Sequence, residues 1–257
     1  TNENPYNFSI QGTGTDAEIR IEGKSTEISD GDDEPATADG TDFGSADIDG
    51  VTATSTYTIY NTGNAALSLT GNPIVGKTGD HSADFTVTPP STSTVGVGDS
   101  VTFMVVFNPS ATGTRSAILS IPNDDTNENP YNFSIQGTGT DAEIRIEGKS
   151  TEISDGDDEP ATADGTDFGS VDIDGITATS TFTIYNRGNG PLTLSGSPIV
   201  GKSGDHPSDF TVTGPGASTV SAGGNITFVV VFNPSDTGTR SAILSISNDD
   251  TNENPFT

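Results

Sequence analysis

A stretch of 45 residues, Thr1 to Ser45, returns letter for letter from Thr126, and its opening Thr-Asn-Glu-Asn-Pro returns again at Thr251. The copies run in register without insertion or deletion, with a period of about 125 residues and about 20 differences between them. A period that long is a whole globular domain, because solenoid units span only about 20–50 residues. Each copy is large enough for a core of its own. Near-identical domains in series add length, stiffness or multivalency, whereas a catalytic site gains little from being copied. The repeat therefore favours a structural or adhesive module, and no enzyme is expected.

Within one copy the apolar residues alternate. Ile19 and Ile21 fall on one side of Glu18, Arg20 and Glu22, and Tyr57 and Ile59 on one side of Thr56, Thr58 and Tyr60. Leu67 with Leu69, Phe85 with Val87, Phe103 with Val105 and Phe107, Ala117 with Leu119 and Ile121, and Phe133 with Ile135 repeat the pattern. Period two places one row of each strand in a core, and Gly, Asn, Pro and Asp punctuate the runs. The expected fold is all-β, with tandem immunoglobulin-like β-sandwiches of about seven strands each. With neither Cys nor Trp in the chain, Phe must fill the place of the buried disulfide and indole.

The hairpin formed by Arg115–Ile121 and Tyr131–Gly137 closes a copy. Residues 1–15 are thus expected to be the closing strand of a preceding repeat plus a linker. Residues 16–139 form one sandwich, and residues 141–257 a second whose closing strand is truncated. An unpaired sheet edge accepts another strand. Tyr6–Gln11 of another copy has the sequence to fill it, so neighbouring repeats and strand addition are the expected partners.

The chain carries 37 acidic and 9 basic side chains, a formal charge of −28. That balance excludes nucleic acid and anionic lipid, which need a basic footprint. No apolar run reaches the length of a membrane span, so no membrane insertion is expected. Acidity attracts cations, and the densest cluster lies between Glu27 and Asp49, where Gly31, Pro35 and Gly40 supply turns. Calcium takes six to eight oxygen ligands, which this loop holds in surplus. The candidate ligands are Asp30, Asp32, Asp39 and Asp42, with Asp155, Asp157, Asp164 and Asp167 in the second copy; the alternative is a solvated acidic loop. The spacing is not that of an EF-hand, because Pro35 stands where the turn glycine belongs. A second acidic cluster, Asn123–Asn129, reads as a polar hairpin loop. It becomes a calcium-stiffened junction if it faces Asp16 or Asp141 at a domain boundary. His81 and His206 read as turn histidines, since the Ser82 beside the first becomes Pro207 beside the second.

Several of these segments taken together resemble one family. They are Asn61-Thr-Gly, Val101-Thr-Phe-Met-Val-Val-Phe-Asn-Pro109, Ile118-Leu-Ser-Ile121, Asn123-Asp and Asn129-Pro-Tyr-Asn-Phe-Ser-Ile-Gln-Gly-Thr-Gly. Asn186-Arg-Gly188, Phe232-Asn-Pro234 and Asn248-Asp match them in the second copy. The chain resembles the Hydin-like, major-sperm-protein-like branch of immunoglobulin domains, in particular the bacterial "choice-of-anchor D" repeats. The resemblance implies a β-sandwich in a large secreted or surface-attached protein, and no catalytic residues. The expected role is a stalk or fibre segment stabilised by calcium; the alternatives are a filament unit completed by strand donation and an adhesin domain binding a glycan or protein.

Overall fold

The structure is a computed structural model describing residues 5–50 and 52–257 of the chain. It divides into two compact units, one holding most of the chain up to Thr138 and one holding Gly139–Thr257. Both are built from strands.

In the first repeat the strands are β1 (Ile19–Gly23), β2 (Thr26–Ile28), β3 (Asp42–Asp47), β4 (Ala53–Asn61), β5 (Leu67–Ser68) and β6 (Gly76–Thr78). They continue as β7 (Phe85–Thr88), β8 (Thr94–Val95), β9 (Ser100–Phe107), β10 (Gly113–Ile121) and β11 (Tyr131–Thr140). One sheet has the order β2-β1-β4-β9-β7 and another the order β3-β11-β10-β6. All seven segments read from the alternation are strands. The additional ones are short, or in the case of β3 lie inside the acidic stretch.

Alternation sets which side chains go inward. Tyr57 and Ile59 on β4 are fully buried, and so are Val105 and Phe107 on β9 and Leu119 and Ile121 on β10. The register places Tyr57 opposite Phe103 and Ile59 opposite Val101 on β9, so large residues meet across the ladder. Phe85 stacks on Phe107 with ring centroids 5.0 Å apart, and Tyr57 on Phe103 at 5.1 Å. Phe43 closes edge-on against Phe85 at 5.6 Å. Each buried ring contributes about 2 kcal/mol from area alone, with the ring pairing additional.

Close backbone packing explains one glycine. A Cβ on Gly23 would lie 1.9 Å from the Asp39 carbonyl oxygen, and one on Gly148 would lie 1.8 Å from that of Asp164. The acidic loop therefore lies directly on β1, which a side chain at this position would prevent. The loop is anchored from the other side as well, because Ser55 Oγ and Tyr57 Oη both donate to the Gly40 carbonyl at 2.8 Å.

The second repeat contains β12 (Ile144–Gly148), β13 (Thr151–Ile153), β14 (Ala178–Asn186), β15 (Leu192–Thr193) and β16 (Val200–Ser203). It ends with β17 (Phe210–Thr213), β18 (Thr219–Val220), β19 (Asn225–Phe232) and β20 (Ile243–Ile246). The sheet β13-β12-β14-β19-β17 reproduces the first repeat's five-stranded order. Its aromatic pairs recur too, Phe210 on Phe232 at 4.9 Å and Phe182 on Phe228 at 5.2 Å. The facing side is reduced to β16 paired with β20, plus a bridge between Ile246 and Phe256. Residues 167–172, the counterpart of β3, have no strand here. In the first repeat β3 pairs with β11, so the missing partner accounts for the missing strand.

Candidate functional site

The carboxylates of the acidic loop hold turns. Asp30 Oδ1 accepts the Asn132 N–H at 2.7 Å, and Gly31 N–H donates to the Asn132 carbonyl, which stitches the loop to the start of β11. Asp32 Oδ1 accepts from Glu34 N–H at 3.0 Å. Asp39 is buried, and its Oδ1 accepts both the N–H and the hydroxyl of Thr41, at 2.9 and 2.6 Å. Asp42 Oδ1 accepts from Gly44 N–H, and its Oδ2 from Gln136 Nε2.

The second copy repeats these bonds at Asp155 with Thr257, Asp157 with Glu159, Asp164 with Thr166 and Asp167 with Gly169. A short acidic side chain that folds back on its own backbone forms the turn, and that competes with converging on a shared ion. Among the described residues, no three of the four carboxylates expected to bind calcium in either copy come within 4.8 Å of one another.

Two other trios do come together. Glu18, Asp125 and Glu128 place carboxylate oxygens within 4.8 Å of one another in the first repeat, as do Glu143, Asp250 and Glu253 in the second. The scaffold beneath each is a buried asparagine. Asn123 Nδ2 donates to the carbonyls of Ile121 and Glu128, while its Oδ1 accepts from Asp125 N–H at 2.8 Å. Asn248 does the same with Ile246, Glu253 and Asp250. Held this way, the loop turns its aspartate inward. Asp125 Oδ2 then accepts the Ile19 N–H at 2.9 Å, and Asp250 Oδ2 the Ile144 N–H at 2.8 Å.

The loop thus faces the first strand of its own repeat, three residues beyond Asp16 in one copy and Asp141 in the other. The Asn123–Asn129 cluster was legible in the sequence, but Glu18 and Glu143 read there only as residues on the wet side of a strand.

The electrostatics are unfavourable for three free carboxylates. Burial, followed by the charges of Asp125, Glu18 and Asp30, holds the Glu128 carboxyl above its ordinary range. Burial, then Asp250, Glu143 and Asp155, pushes Glu253 up to about 7. Glu143 is raised by burial and then by Asp250 and Asp141. Two of the aspartates expected in the calcium set, Asp30 and Asp155, therefore stand close enough to add negative potential here.

The remaining candidate group is the Asp-His turn. His81 Nδ1 accepts the Ser116 N–H at 3.2 Å, and Asp84 pairs with Arg115 Nε at 2.5 Å. Burial works against the Asp84 charge, but the hydrogen bonds from Arg115 and Ser110 outweigh it and hold the carboxyl below its ordinary value. His206, Asp209 and Arg240 repeat the arrangement. The aspartate is held by arginine, and the histidine supports a turn.

A sequence model described as the HYDIN/CFA65/VesB-like, Ig-like domain matches residues 37–138 and 162–257. No curated protein matches the sequence. Among solved structures, a protein of unknown function from Porphyromonas gingivalis W83 is 13% identical, with 80% of this chain and 88% of that one covered at a TM-score of 0.32. The secreted serine protease VesC from Vibrio cholerae is 17% identical over 81% of this chain and 49% of its own, at a TM-score of 0.32. The VesB protease of the same organism is 15% identical over 38% and 29%, at a TM-score of 0.29. The chain thus spans about half of VesC and under a third of VesB, and likenesses this loose say nothing of activity.

Proposed function

The chain belongs to the HYDIN/CFA65/VesB-like immunoglobulin-like domain family, and on that premise we propose that it is a non-catalytic structural segment of a large secreted or cell-surface protein. Its two sandwiches act in series as a stalk or fibre, and its finer kinship is with the "choice-of-anchor D" repeats. One observation supports this reading: the two histidines and the aspartates beside them are committed to structural bonds, in the same way in both copies. His81 and His206 each accept a backbone N–H, and Asp84 and Asp209 each hold an arginine. None of the helices among the described residues is long and apolar enough to cross a membrane.

The test is mechanical. Pulled between its ends, the intact chain should unfold in two events, each releasing about 400 Å of contour length, at about 3.4 Å per residue. A single event, or extension without force peaks, would overturn the load-bearing role.

A second reading rests on the segment before β1. Tyr6, Phe8 and Ile10 are 75%, 77% and 87% exposed, whereas Tyr131, Phe133 and Ile135, the same residues of the same sequence, are 2%, 1% and 0% exposed inside the first sandwich. In the first repeat β10 lies between β6 and β11, while its counterpart β20 pairs with β16 alone apart from the Phe256 bridge. Phe256 already fills the place that Tyr131 holds in the first repeat, so Tyr6–Gln11 of one molecule fits beside β20 of another through ladder hydrogen bonds with Phe8 and Ile10 as the added apolar anchors. Sedimentation at rising concentration should show association that is lost when residues 1–11 are removed. Association unchanged by the deletion, or a monomer at every concentration, would eliminate strand donation.

A further inference from the structure

From the paired trios we infer that each repeat carries a divalent-cation site of the calcium class, made by Glu18, Asp125 and Glu128 in the first and by Glu143, Asp250 and Glu253 in the second. This is independent of the stalk reading, and its ligands differ from the acidic-loop set expected from sequence.

The first observation is convergence: three carboxylates with oxygens within 4.8 Å of one another, twice. The second is a vacant acceptor. Asp250 is only 2% exposed; its Oδ2 takes the Ile144 N–H, and its Oδ1 has no partner. Glu253 Oε2 beside it is buried and equally unpartnered, as is Glu128 Oε2 in the first repeat. Buried carboxylate oxygens are normally hydrogen-bonded, paired with a base or coordinated to a metal.

The nearby bases face other groups, although the Nε of Arg145 makes no hydrogen bond. Arg145 pairs with Glu147 at 2.7 Å and Glu152 at 3.0 Å, and Arg187 lies over the Tyr185 ring at 4.3 Å. A hard cation or a proton shared between the carboxyls is the partner that remains, and the convergence of three oxygens favours the cation.

The donor chemistry narrows the ion. Three carboxylates without His or Cys do not suit zinc. An irregular, partly open oxygen set suits calcium, which accepts six to eight ligands, better than magnesium, which demands a near-ideal octahedron. Glu18 is at least partly exposed, so water can complete the shell. Such an open site belongs at the weak end of calcium affinities, with Kd on the order of 0.1–1 mM. Arg187 borders the second site, where the first repeat has Thr62, so the first site should bind more tightly.

The experiment titrates calcium into the intact chain by calorimetry and follows melting with and without about 10 mM calcium. About two ions per chain should bind, and the melting temperature should rise by about 5 °C. The double variant Glu128→Gln, Glu253→Gln should lose both responses while melting, metal-free, no lower than the parent, because one crowded charge per trio is gone. Glu18→Gln with Glu143→Gln, at the outer side of the trios, should also lose them, so misfolding cannot mimic the result. Absence of calcium heat together with an unchanged melting temperature would overturn the proposal. So would undiminished binding in both double variants, which would assign the ions to the acidic surface at large. A melting temperature that rises on acidification but ignores calcium would instead give the paired carboxyls a shared proton, and would also overturn it.

Discussion

Position 57 offers a natural control, because the first repeat has Tyr57 where the second has Phe182. The Tyr57 hydroxyl is buried and donates to the Gly40 carbonyl at 2.8 Å, and the same oxygen also accepts from Ser55 Oγ at 2.8 Å. In the second repeat the equivalent Gly165 carbonyl accepts from Ser180 Oγ at 2.8 Å. Tyr57→Phe therefore removes one hydrogen bond without orphaning the acceptor, and it should cost about 1 kcal/mol. Ser55→Ala alone should cost a similar amount.

The double variant leaves a buried carbonyl with no partner, so it should cost about 3 kcal/mol, more than the sum of the singles. Phe182→Tyr should run the other way and slow opening of the second repeat. Native-state hydrogen exchange read on β4 and β14 peptides separates the repeats, and 1 kcal/mol appears as about fivefold faster exchange. Strict additivity in the double variant, or equal loss in both repeats from Tyr57→Phe, would refute the idea that this carbonyl pins the acidic loop to β4.

Three further perturbations follow from the same geometry. Gly23→Ala drives a Cβ to 1.9 Å from the Asp39 carbonyl oxygen, and should cost about 3 kcal/mol or more by displacing the loop, measurable by urea denaturation. Asn123→Ala removes three side-chain hydrogen bonds from a buried loop; it should lower stability by about 3 kcal/mol and weaken calcium binding at Glu18 and Glu128. Because the folded-state carboxyl of Asp84 is held below its unfolded value, its contribution is fully present above the ordinary aspartate range and is lost as pH falls through the folded pKa. A melting curve followed down in pH should fall more steeply for the parent than for Asp84→Asn.

By itself the sequence determined the elements and the inward-facing rows, because period-two alternation over β1, β4, β9, β10 and β11 has only one way to bury its apolar side. It also established the duplication and the family, through turn and strand segments that recur in order. It did not yield β3, whose Phe43 is embedded among acidic residues and Gly44. That strand exists because β11 offers it a ladder; Phe168 makes the same ring contacts in the second repeat without forming a strand.

Sequence density pointed to Asp30, Asp32, Asp39 and Asp42, yet the last three are taken up by N–H groups of their own turns and Asp30 by the Asn132 N–H of β11. Glu18 lies over a hundred residues from Asp125 and Glu128, so only the fold, which lays the β10–β11 loop against the start of β1, brings the three together. Local propensity follows from neighbours along the chain, whereas the field at a carboxylate is set by whatever folding places within a few ångströms of it.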